Sequence, residues 1–304
     1  MKIYINNANE NWVVDRFQKE WNQFNSRQAR TYLLKNKTIW LISPWTWKSV
    51  PKYFLKRNKV LCTIHHIDEE KFTDEEKANF YYRDHFVDAY HVISDKTKNQ
   101  VLKLTEKKIY NIPFWANQNL WFEIKDKTSL RKKYGISEED FLIGSFQRDT
   151  EGSDLKSPKL SKGPDSFVEI AKYFNKVNPN TVILLTGKRR QYIKNRLDNE
   201  KIKYKYLEMV SFETLNELYN LLNLYIVSSR YEGGPQSIIE CSLNKTPIIS
   251  TDVGIASQIL SPESIFDMNN FKNSKPNVEF SYQNIKNLLI PEGFNKFNEM
   301  FKEL

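Results

Sequence analysis

The chain has 304 residues, 40% of them hydrophobic and 27% charged, which suits a globular protein of two domains at roughly 150 residues each. No run is long and apolar enough to span a bilayer, and the opening MKIYINNANENW lacks a basic region followed by an apolar one, so neither a membrane span nor a signal peptide is expected. The formal charge of +9 favours an anionic partner but does not choose between nucleic acid, a lipid surface and a phosphorylated substrate.

In chain order, Lys2 to Asn6 reads as a short strand and Arg16 to Phe24 as a helix. TIWLIS, Thr38 to Ser43, is a second strand stopped by Pro44, and KVLCTI, Lys59 to Ile64, is a third that runs into His65 and His66. Glu75 to Phe86 is helical. Ala89 to Ile93 is a strand, and Ser94 is placed to cap a helix from Asp95 to Leu104. Lys108 to Ile112 leads to Pro113. Asn117 to Asp140 is charged and poorly periodic, and RKKYGISEED marks the way into a second domain.

FLIGSF, Phe141 to Phe146, is the first strand of that domain. Gln147 to Lys162 is a loop of charged and small residues. Gly163 and Pro164 precede a helix from Asp165 to Asn175. TVILLT, Thr181 to Thr186, is a buried strand ending at Gly187. A helix follows, then a strand over Lys203 to Leu207 and a helix over Thr214 to Leu222. Lys188 to Arg190 reads as a solvent-facing helix start. Beyond Ser261 the pattern weakens, with Ile285 to Leu289 and Phe294 to Phe301 expected as terminal helices. Short strands alternating with helices imply an α/β fold, with helices on the faces of parallel sheets. The two cysteines, Cys62 and Cys241, lie in apolar runs with no zinc spacing and read as buried free thiols in a reducing compartment.

Leu224 to Gly254 concentrates the chemistry. An apolar strand, Leu224 to Ser228, meets the turn Glu232-Gly233-Gly234-Pro235, a helical run from Gln236 to Ser242, a strand from Thr246 to Ser250, and Gly254. Glycines 144, 152, 163, 187, 233, 234 and 254 all lie in the expected second domain, where a ligand would most readily meet backbone amides. On residues alone, Glu232 either binds a ligand or caps its own turn. Glu240, in the apolar run SIIECSL, fits a surface charge poorly. Arg148 and Lys162 read either as a phosphate clamp or as a solvated basic loop. His65 lies at a strand's carboxyl end, as a site residue or a buried structural histidine. His85 and His91 read as structural.

These marks resemble the retaining glycosyltransferases of the GT4 type. Glu232-Gly233-Gly234-Pro235 with Glu240 matches the family's E-x7-E signature, and Lys245 to Gly254 resembles the segment after it. Gly144-Ser145-Phe146-Gln147-Arg148 with Lys162-Gly163 resembles its G-R-l…K-G element. Thr63-Ile64-His65, His91-Val92-Ile93-Ser94 and Ile112-Pro113 resemble first-domain segments. The chain departs from the family in having no glycine pair in the opening loop, Asn6 to Glu10, and in carrying Asn223 where Asp is usual and Asn244 where Gly is frequent; both asparagines read as structural.

The resemblance implies the GT-B architecture, two Rossmann-like domains facing across a cleft. Residues 1–127 would form the acceptor-side domain, 128–280 the nucleotide-sugar domain, and 281–304 helices packing back on the first. It implies a hexosyltransferase-like enzyme moving a sugar from a nucleoside-diphosphate sugar, UDP- or GDP-linked, to a glycan or lipid-linked acceptor in cell-surface polysaccharide or glycoconjugate synthesis. Glu232 and His65 would serve the transferred sugar, Glu240 the ribose, and Arg148 and Lys162 the diphosphate. The amides of Gly234, Pro235, Gln236 and Ser237 would approach the phosphates at a helix N-terminus, with the proline supplying only its ring and carbonyl. No tightly bound cofactor or metal is expected. The basic aromatic segment Trp45 to Lys59, on the first domain, would rest on an anionic membrane surface, hold a phosphorylated or glycan acceptor, or form a plain solvated face; the protein would lie in the cytoplasm, peripheral to the inner face of the membrane on the first of these readings. The alternatives are a nucleic-acid-binding protein, a phosphorylase or epimerase of the same fold, and a non-catalytic transferase-like subunit. No nucleic acid is expected, because no recognition module is present.

Overall fold

The computed structural model describes residues 2–9, 13–34 and 37–304, so position 10 of the opening loop lies outside the described residues. The chain forms two compact units, Met1–Trp115 with Pro291–Leu304, and Ala116–Ile290. Each is built on a six-stranded parallel sheet, as the alternation of strands and helices predicts.

In the first unit the sheet runs Ala29–Arg30, Ile3–Ile5, Thr38–Leu41, Lys59–Ile64, Ala89–Val92, Lys108–Asn111. The inner strands are buried along nearly their whole length, as in parallel sheets covered on both faces. Ile39, Leu41, Val60, Cys62, Tyr90 and Val92 pack on Trp47, Leu55 and Phe80 on one side. An aromatic layer forms around Trp40: Trp21, Phe297 and Phe301 have ring centres 5.7, 5.6 and 5.3 Å from it. The helix Asn295–Glu303 thus completes the first unit's core. Much of the aromatic content is core.

His91 is fully buried here, which keeps its ring neutral, and its hydrogen bonds fix the tautomer. Its Nε2 faces the Ile112 carbonyl at 2.7 Å, which can only accept, so Nε2 carries the proton. Nδ1 then accepts from the Thr63 hydroxyl, which itself accepts from the Trp40 indole N–H. Burial pushes the His91 pKa down to about 3 and that of His65 down to about 4, from an ordinary value near 6.5. An unfolded chain therefore takes up protons at both positions between pH 6.5 and 4 while the folded one does not. Stability of the first unit is present in full above pH 6.5 and falls with pH in this window, by up to about 1.4 kcal/mol per pH unit for each histidine. Urea unfolding across this range should show a shallower pH slope in His91→Gln than in the wild type; equal slopes would refute the assignment.

In the second unit the sheet runs Tyr204–Leu207, Thr181–Thr186, Phe141–Ser145, Leu224–Val227, Ile248–Thr251, Ile265–Phe266. Counted within the unit this is the doubly wound order 3-2-1-4-5-6, whose direction reverses between Phe141–Ser145 and Leu224–Val227. In open α/β sheets ligands bind outside the carboxyl ends of the strands at such a switch point. The poorly periodic segment before it contains the helix Lys127–Lys133, capped by Asp126, and Ala116 and Trp121 join this unit's core. Ile285 and Leu288 belong to the same core, and Lys286–Leu288 is a single 3-10 turn instead of a terminal helix. The helix Val278–Asn284 and the two-residue strand Ile265–Phe266 carry too short a pattern to be read from sequence. Asn223 is structural: its side-chain oxygen accepts from the Leu142 amide and Arg131. Cys62 and Cys241 are buried free thiols.

Candidate functional site

The strand Leu224–Val227 delivers Ser228 to Glu232 to the switch point, and two neighbouring segments are locked onto its end. Gly163, at φ +58°, packs so closely that a Cβ there would lie 1.8 Å from the Ser228 carbonyl oxygen. Only glycine fits, and it is further held by the Ser228 hydroxyl donating to its carbonyl at 2.8 Å. Gly254, at φ +57°, approaches the turn itself: a Cβ there would sit 2.4 Å from the Gly233 oxygen. The amides of Arg230 and Tyr231 donate to the Ser161 carbonyl, and the Thr251 hydroxyl to that of Ser229.

This scaffold joins two of the residues singled out in the sequence. Lys162 and Glu232 form an ion pair with side chains only 21% and 12% exposed. The Ser229 hydroxyl lies 3.2 Å from Glu232, and the Gln147 amide donates to the Lys162 carbonyl. Arg148 is exposed, with its Nε donating to the Thr150 carbonyl at 3.0 Å, which leaves the rest of its guanidinium toward solvent. Lys159 adds a third cation that the sequence reading missed. It precedes the 3-10 turn Leu160–Lys162, whose three-residue repeat brings positions 159 and 162 to one side. Burial, then the charges of Lys162 and Arg148, hold the Lys159 ammonium below its ordinary range, with Glu232 and Glu151 opposing. The spacing of the two lysines was the available signal.

The expectation for Lys188 to Arg190 is overturned at Arg190, which is 1% exposed. Its Nε donates to Asp149 in a buried ion pair, and its NH1 donates to the Ser145 and Thr186 carbonyls at 2.5 and 2.6 Å. The second Asp149 oxygen accepts from the Thr150 hydroxyl at 2.7 Å, and its carbonyl accepts from the Lys159 amide at 2.7 Å. The long loop after Phe146 is thereby tied to the carboxyl ends of the strands Phe141–Ser145 and Thr181–Thr186. It carries a small antiparallel hairpin of Thr150–Glu151 and Ser157–Pro158.

The helix after the turn begins at Gln236, with Pro235 as its N-cap in extended geometry, one residue later than a proline in the first turn would give. Gln236 and Glu240 are four apart and share a face. Glu240 is 7% exposed and accepts from the Tyr219 hydroxyl at 2.8 Å. Burial and the Glu240 charge raise the Tyr219 pKa well above its ordinary value, so it remains a donor. Ser237 hydrogen-bonds Tyr225.

In the first unit His65 follows the strand Lys59–Ile64. Its Nε2 faces the Ile42 carbonyl at 2.8 Å, so Nδ1 keeps its lone pair, and its ring stacks on Phe114 at 5.9 Å.

Three cations and a partly buried carboxylate at the switch point of a doubly wound sheet, in a chain that also contains another parallel α/β unit, define a two-unit Rossmann-like α/β protein. Residues 126–288, more than half of the chain, match the family model of glycosyl transferases group 1, and the chain belongs to that family. No curated protein sequence matches it significantly. Among solved structures, HepE from Anabaena in complex with UDP and glucose is similar at TM-score 0.74 and 13% identity, covering 100% of both chains. Sucrose-phosphate synthase from Thermosynechococcus elongatus is similar at TM-score 0.68 and 15% identity, over 95% of this chain and 77% of the other. A glycosyltransferase from Rickettsia africae is similar at TM-score 0.66 and 17% identity, over 98% and 83%. The fold is that of GT-B glycosyltransferases.

Proposed function

We propose that this chain is a retaining, hexosyltransferase-like glycosyltransferase of the GT4 type. In this reading it takes a nucleoside-diphosphate sugar, UDP- or GDP-linked, as donor and transfers the sugar to a glycan or lipid-linked acceptor of cell-surface polysaccharide or glycoconjugate synthesis. The observation that carries the reading is the cluster of Arg148, Lys159 and Lys162 with Glu232 at the switch point. As the glycosidic bond breaks, negative charge grows on the diphosphate, and fixed cations in a partly buried site stabilise it where it develops. Arg148 has a planar fork for two phosphate oxygens, and the lysines act as point charges. Glu232, held by Lys162, accepts from sugar hydroxyls. Glu240, on the face shared with Gln236, accepts from the ribose. The backbone of Gly234 to Ser237 approaches the phosphates at the helix N-terminus.

His65 serves the transferred sugar, since its Nδ1 is an acceptor for a hydroxyl at neutral pH. No enzyme nucleophile is assigned, and the donor phosphate takes the acceptor's proton on the face from which the nucleotide leaves. The reading requires no metal and places the protein in the cytoplasm. Exposed Trp45 and Tyr53, set among Lys48, Lys52, Lys56 and Arg57, support contact with an anionic membrane face. No helix among the described residues is long and apolar enough to cross a membrane.

Thermal unfolding with UDP, GDP and ADP tests the reading. One nucleotide at 100 times its Kd should stabilise the protein by about 2.7 kcal/mol, and Glu240→Ala should weaken that nucleotide at least tenfold. Absence of stabilisation by all three would overturn it.

A further inference from the structure

At the carboxyl end of the strands Thr38–Leu41 and Lys59–Ile64 the first unit holds a cavity of about 280 Å³, lined among others by Pro44, His66, Asp68, Lys71, Glu76 and Arg83. Arg83 is 7% exposed and its Nε has no hydrogen-bond partner among the described residues. Its guanidinium carbon lies 5.1 Å from the Phe80 ring centre. The Asp68 Oδ1 in the same lining is likewise buried without a partner. A buried polar atom without a hydrogen-bond partner costs free energy, so the Arg83 Nε and the Asp68 Oδ1 are left here for a ligand to satisfy.

We propose that this cavity binds a small oxyanion group, phosphoryl or carboxylate, next to a hydroxyl: Arg83 grips the oxyanion and Asp68 accepts from the hydroxyl. The other titratable groups around it are His66, Lys71 and Glu76. All three are exposed, where water and salt screen them, so Arg83 and Asp68 set the character of the interior. The volume suits one small charged group with its nearest carbons. Assignment of that group to the acceptor rests on the proposed function, because the cavity directly follows His65; the binding itself does not.

The test is calorimetric titration of the whole protein with inorganic phosphate, glycerol 3-phosphate and glucuronate, with UDP at saturation to occupy the second unit's cations. Wild type should bind the phosphate pair or glucuronate, the two arms separating a phosphoryl from a carboxylate preference, and Arg83→Met should weaken that binding at least tenfold with UDP affinity unchanged. Arg83→Lys should recover part of it. If glycerol 3-phosphate binds more tightly than inorganic phosphate, Asp68→Asn should reduce that preference. Should Arg83→Met fail to fold, Arg83→Lys must still bind the probe more weakly than the wild type. Probe affinities unaltered in all these variants would overturn the site. Absent UDP binding would instead count against the donor reading, while an Arg83-dependent oxyanion response would still support this one.

Discussion

Arg190→Met is expected to destabilise the second unit by about 3–5 kcal/mol, the cost of leaving one partner of a buried ion pair uncompensated. The reason is specific to Asp149, which is fully buried along with Arg190. Without the guanidinium its carboxylate keeps the Thr150 hydroxyl but loses its counter-charge, and the Ser145 and Thr186 carbonyls lose their donor. The double variant Arg190→Met with Asp149→Leu removes both charges and should recover most of the loss. Urea unfolding of the three proteins is the measurement, and a loss below about 1 kcal/mol in the single variant would sink the account. Because the Asp149 carbonyl anchors the Lys159 amide, nucleotide affinity should fall in the single variant as well.

The second large effect is expected at Lys162. On the proposed function, Lys162→Met removes a cation from the diphosphate and the ion-pair partner of Glu232, so kcat should drop by about 10²–10³, the range seen when one group stabilising transition-state charge is removed. Glu232→Gln should lower kcat in the same range. The double variant should fall well short of the product of the two losses, because each single change already breaks the shared pair. Sugar transfer or donor hydrolysis rates, with nucleotide Kd measured alongside, check this. Full multiplicativity would mean that the two side chains act separately.

Much of the architecture was legible in the chain. Strands such as TIWLIS, KVLCTI and TVILLT are apolar throughout because they are covered on both faces, and that pattern needs no partner to be seen. The turn Glu232 to Pro235, Gly163 and Gly254 were visible because glycine at a tight approach has a local cause. Short elements were not legible: two residues at Ile265–Phe266 cannot display a period. Nor was the fate of individual charges. Arg190, in the run KRR, reads as surface, and its burial depends on a carboxylate 41 residues earlier.

The sequence by itself determined the α/β alternation and the family to which the chain belongs, and it singled out the stretch from Leu224 to Gly254 as the expected centre of the chemistry. Only the tertiary structure decided how the polar residues are used. It paired Lys162 with Glu232, added Lys159 to them, buried Arg190 on Asp149, fixed the tautomers of His65 and His91, and left Arg83 facing a cavity. The physical reason is common to all five. Apolar periodicity is a local property of the chain, whereas the state of a charged or titratable group depends on burial and on partners brought from distant positions.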